Sequence, residues 1–121
     1  MNSNESWAES MKISVHKNRT VKFENFKNIK HLEKCLNEKY PTGSDANKMI
    51  EDMKSSLAQV IMPGESNWRG TFEVIDQDLI VFYLRNKEVG VMHEYDWIIH
   101  LFMMPDRKVK SIIVTREYFG V

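Results

Sequence analysis

Tyr95-Asp96-Trp97-Ile98-Ile99-His100-Leu101-Phe102-Met103-Met104 is the stretch on which the fold turns. Read as an extended chain, it places Trp97, Ile99, Leu101 and Met103 on one side. Ile98, Phe102 and Met104 fall on the other side, interrupted by His100. A sheet covered by helices on one face should present polar residues on the other. A second apolar face therefore predicts either a surface for a partner or a cover supplied by the chain itself. The N-terminal segment with Trp7 is the candidate cover.

Downstream, Pro105-Asp106-Arg107-Lys108 is turn chemistry, and Val109 to Tyr118 again alternates. Upstream, Thr71 to Ile75 and Leu79 to Arg85 alternate around Asp76-Gln77-Asp78. Four antiparallel strands in a meander follow from this pattern. Pro63-Gly64 and Asn67-Trp68-Arg69-Gly70 read as loops.

Before Pro63 the apolar period changes from two to three and four. Phe26, Ile29, Leu32, Leu36 and Tyr40 form one helical stripe across 26–40, with Asn25 as its cap and Pro41 as its end. Ala46, Met49, Ile50, Met53 and Leu57 form a second across 44–58, capped by Ser44, with the Asp45 carboxylate in the first turn. The expected class is α+β, with two N-terminal helices packed on one face of a four-stranded antiparallel meander. Residues 1–10 read as a flexible lead-in, and 11–24 fit either a weak hairpin around Lys17-Asn18-Arg19 or a helix. A chain of 121 residues suits a single domain.

Composition narrows the function classes. The chain is 42% hydrophobic and 28% charged, ordinary for a globular protein. No stretch approaches the ~20 apolar residues of a spanning helix, so no membrane role is expected. Met1-Asn2-Ser3-Asn4-Glu5-Ser6 lacks a secretory pattern, and Cys35 alone can form no internal disulfide, which together favour a cytoplasmic setting. From Gly64 to Asp106, eight acidic residues face only Arg69, Arg85 and Lys87. This imbalance opposes nucleic acid and suits a basic protein partner.

Chemistry finds little purchase. His16, His31, His93 and His100 show no metal-ligand spacing, and neither a phosphate-binding glycine loop nor a serine elbow is present, so no cofactor or metal is expected. His93, Glu94 and Asp96 stand close enough in sequence to make a general acid and base for a small hydrolase. A hydrated loop before a strand accounts for the same residues. Cys35, beside the first helical stripe, reads as a small hydrophobe. The aromatic and charged residues Trp68, Arg69, Tyr83, Glu94, Tyr95 and Asp96 are the candidate partner contacts, because aromatic anchors ringed by charge concentrate interface energy.

The run Tyr40-Pro41-Thr42-Gly43-Ser44-Asp45-Ala46 before a helix resembles small bacterial ααβββ domains. So does the meander carrying Trp97-Ile98-Ile99-His100-Leu101-Phe102 and Arg107-Lys108-Val109-Lys110-Ser111-Ile112. These domains include the SmpA/BamE-type lipoproteins and the repeats of β-lactamase inhibitor protein. The resemblance covers roughly residues 26 to 116 and implies a non-enzymatic role in scaffolding or inhibition. Without a leader or lipid-modified cysteine, the chain looks more like an immunity protein that plugs a toxin or enzyme domain, as in contact-dependent growth inhibition, than like an assembly module of the BamE type.

Overall fold

The computed structural model describes Phe23, Phe26 and residues 28–68, 70–88 and 93–119. The lead-in with Trp7, the 11–24 segment with His16 (Phe23 excepted), Asn25 and Arg69 lie outside the described residues, as does the side chain of His93. Two helices, α1 (Ile29–Lys39) and α2 (Ala46–Ser55), precede four strands: β1 (Gln59–Ile61), β2 (Leu79–Glu88), β3 (His93–Met103) and β4 (Val109–Phe119). The strands form one antiparallel sheet in the order β1-β2-β3-β4.

The helices pack on one face, as their stripes require. Leu32, Cys35 and Leu36 of α1 and Met49, Ile50 and Met53 of α2 meet Phe82, Leu84, Trp97, Ile99, Leu101 and Val114 in the main core. Phe23 and Phe26, just ahead of α1, are buried there too. The α1 cap is Asn28, whose side chain accepts from the Lys30 and His31 amides. The α2 cap is Asp45 and not Ser44: its carboxylate accepts from Asn47 N, while Ser44 Oγ donates to Pro41 O. One residue's difference in where the helix begins moves the carboxylate from the first turn to the cap.

The helices are joined by a buried polar tie. Tyr40 Oη donates to Asp52 Oδ2 at 2.5 Å, and Lys39 Nζ approaches the same oxygen at 3.5 Å. Burial, reinforced by the bond to Asp52 and its charge, raises the phenol above its ordinary range and keeps it protonated. Tyr40→Phe should lower stability by about 1.5 kcal/mol, as expected for losing a hydrogen bond to a charged acceptor. A urea midpoint equal to that of the wild type would contradict this reading.

The outer edge of β4 is closed by side chains of the helical layer. Thr42 Oγ1 donates to Lys110 O, Asn37 Nδ2 to Ile112 O, and Val114 N donates to Glu33 Oε2. Alternate residues of a strand direct their backbone groups to the same edge, so three polar side chains satisfy three successive outward positions.

The first strand is where the sequence misleads. Residues 71–75 are not a strand of the sheet; Gln59–Ile61, continuing directly from α2, takes the β2 edge and pairs Gln59 with Tyr83, Val60 with Phe82 and Ile61 with Val81. The alternation in 71–75 is nevertheless used. Val74 and Phe72 turn inward and lie over Ile61, Val81, Tyr83 and Ile98 on the outer face of the sheet, forming a second, smaller core. Period two specifies which side chains point inward, and it is silent on whether a segment hydrogen-bonds at a sheet edge or lies across its face. The cover for the outer face of β2 and β3 thus comes from the 62–78 loop.

Candidate functional site

Asn67 builds the tip of that loop. Its Oδ1 accepts from Thr71 N and Phe72 N, and its Nδ2 donates to Thr71 Oγ1, while its own backbone amide donates to Phe72 O. The turn closes through Gly70, whose φ of +70° suits glycine, with its amide donating to Asn67 O. Gly64 N to Val74 O and Val74 N to Glu65 O fasten the loop's base. A side chain carried at this tip is therefore held on a braced support.

Trp68 is that side chain, and 58% of it is exposed. Its amide donates to Gln59 Oε1 at 3.2 Å, and the Arg85 guanidinium lies 5.4 Å from its ring centroid, within cation–π range. Arg85 is fixed in turn: its Nε donates to Asp96 Oδ1 at 2.7 Å, across the β2–β3 register, and its Nη1 lies 3.5 Å from Glu94 Oε2. Asp96 is only 1% exposed, so its carboxylate serves chiefly to orient Arg85. Leu57, Gln59, Trp68, Tyr83, Arg85 and Asp96 line an open cleft of about 330 Å³.

Leu57 belongs to this cleft against expectation. Its place in the α2 stripe predicts core, yet it is 90% exposed. The helix stops one turn early: Ala58 N donates to Met53 O and Leu57 N to Lys54 O, the pattern that normally places glycine in the left-handed conformation. Leu57 occupies that position at φ +66°. A side chain there costs about 1 kcal/mol relative to glycine.

Of the residues singled out from sequence, the structure brings together Trp68, Tyr83 and Asp96, with Glu94 joined through Arg85. Tyr95 is a correction. Strand alternation turns it to the helix side, where it is 2% exposed, accepts a hydrogen bond from Asn86 Nδ2 and packs edge-on to Trp97. It is a core residue and no surface anchor. Arg85, Gln59 and Leu57 are the lining residues that sequence reasoning missed. The signal for Arg85 was present, since position 85 shares a face with 83 and lies across from 96, but only the register shows it.

Farther along the same face, His100 stacks on Phe102 with ring centroids 6.5 Å apart, and its Nδ1 is buried without a hydrogen-bond partner. Burial lowers its pKa below the ordinary histidine value of 6.5, partly opposed by a hydrogen bond with the Ile113 backbone. A lowered folded pKa means that the unfolded chain takes the proton first. The stability linked to His100 should be complete above pH 6.5 and disappear as the pH falls through the lowered folded value. Comparing urea midpoints of wild type and His100→Gln across this range isolates the effect; equal pH slopes would contradict it.

Among the described residues, no cluster of three or more potential metal-ligating side chains occurs, and no helix is long and apolar enough to cross a membrane. Glu94 and Asp96, offered by the sequence as catalytic carboxylates, both engage Arg85. No family model, curated protein or solved structure matches the chain.

Proposed function

We propose that this chain is a non-catalytic binding protein of the immunity or inhibitor kind, which neutralises a toxin or enzyme domain by seating it on the outer face of the sheet. The observation that carries this reading is the exposed Trp68 held at both ends, its backbone by Gln59 and its ring by Arg85. Tryptophan and arginine are both among the residue types enriched where binding energy concentrates. Bracing it beforehand reduces the ordering cost of association. The pairing of both nearby carboxylates with Arg85 also supports a recognition role over acid–base chemistry.

The test begins with the tagged full-length chain expressed in its source cells and recovered with its bound protein. The expected result is a stoichiometric protein whose own enzymatic or toxic activity falls as purified chain is titrated to equivalence. A substrate turned over by the chain alone, with no stoichiometric protein recovered, would overturn the reading.

A further inference from the structure

The smaller core under the 62–78 loop has a histidine at its margin. His100 of β3 stands opposite Val81 of β2 and Ile113 of β4, and Ile98 and Phe102 flank it on the same face. Val81 and Ile98 belong to the cluster that Val74 and Phe72 cover, and Leu79, opposite Phe102, packs against that cluster as well. The imidazole stacked on Phe102 therefore adjoins the residues that hold the loop to the sheet.

This position suits a neutral ring and not a cation. The neutral imidazole keeps one bare nitrogen, whereas the protonated ring carries a hydrogen on both. His100 Nδ1 is buried without a hydrogen-bond partner, so on protonation it becomes an unsatisfied buried donor. The bond to the Ile113 backbone offsets this only in part. Compensating charge is distant. The immediate outer-face neighbours on the strands are Leu79, Val81, Tyr83, Ile98, Phe102, Ser111, Ile113 and Thr115, among which the Tyr83 phenol alone is titratable. β1 contributes Ile61, and the loop contributes Phe72 and Val74. Arg85, Asp96 and Glu117 stand two steps farther along their strands, roughly 13 Å away. Lys108 lies beyond Ser111 at the other end, bonded to Met104, and Glu65, Glu73, Asp76 and Asp78 of the loop are exposed.

We infer that protonation of His100 lifts the 62–78 loop from the outer face, and with it the braced position of Trp68. Water reaches Nδ1 as Val74 and Phe72 part from Val81 and Ile98, while the main core on the helix side stays closed. A ring that titrates normally when hydrated and at lower pH when covered draws the loop open as acid is added. The opened population should grow by up to tenfold for each pH unit below 6.5, levelling off once the pH passes the lowered value of the closed state. The switch stands on the packing of the loop alone; its consequence, that acid weakens a contact made through Trp68, rests on the binding role proposed above.

Methyl NMR of the full-length chain with a soluble gadolinium chelate tests this, because the chelate speeds relaxation of methyl groups that become exposed to water. From about pH 8 down to about pH 5, the range in which histidine changes charge, relaxation at the Val74 and Val81 methyls should rise as the opened population does. The Ile80 and Leu101 methyls of the main core should stay shielded throughout. His100→Gln and His100→Leu, neither of which can take the proton, should abolish the rise. Val74 and Val81 methyls that do not respond to pH, or respond equally in both variants, would overturn the switch. A rise shared by Ile80 and Leu101 would also overturn it, since that reports general unfolding in acid. No partner enters the measurement, so its result is independent of whether the chain binds one.

Discussion

Arg85→Ala is expected to destabilise the protein by about 2 kcal/mol and at the same time release Trp68. Removing one member of a fully buried ion pair costs about 3 to 5 kcal/mol, because the remaining charge is left without compensation. Here the guanidinium side chain is 41% exposed while its partner Asp96 is buried, so the penalty is reduced by solvent but not abolished. Asp96→Asn supplies the contrast. It removes the charge but keeps an oxygen able to accept from Arg85 Nε, and should cost about 1 kcal/mol. Equilibrium urea unfolding separates the two. Equal effects from both variants would show that charge, and not the bond that orients Arg85, dominates this position.

Trp68→Ala should produce the largest effect on binding with almost none on folding. A tryptophan anchor desolvated in an interface contributes about 2 kcal/mol or more, roughly a thirtyfold rise in Kd, expressed mainly as faster dissociation. In the free protein Trp68 is already more than half exposed, so its truncation should change stability by about 0.5 kcal/mol or less. Surface plasmon resonance with the recovered partner reads the first quantity, and thermal melting reads the second. A large drop in melting temperature with unchanged dissociation would reassign Trp68 to structure.

The helices and three of the four strands were legible because their apolar periods are long and unbroken. Leu32, Leu36, Met49 and Met53 sit where spacing placed them, as do Trp97, Ile99 and Leu101. The errors share a cause. The 71–75 segment and Leu57 both lie where the main chain changes direction, and periodicity carries no information about a helix ending early or a segment crossing a sheet face. The candidate site was half legible for a related reason. Trp68, Tyr83 and Asp96 stood out by residue type, whereas Arg85 joins them only through the β2–β3 register that sets Arg85 against Asp96. Tyr95 has the same chemistry as Tyr83 and points to the opposite side, a distinction fixed by strand phase and not by residue type.

The outer-face cleft as the docking surface is tested most directly by amide hydrogen exchange on the free protein and on its complex with the recovered partner. Thr71 N and Phe72 N of the loop are hydrogen-bonded to Asn67 Oδ1 at the surface of the sheet, so their exchange should slow further when anything is seated there. The account predicts new protection at Leu57 to Gln59, around Trp68 and along Tyr83 to Asn86, with α1 unchanged. Protection confined to α1, whose exposed side includes Lys30 and Lys34, with the Trp68 loop exchanging as before, would contradict it.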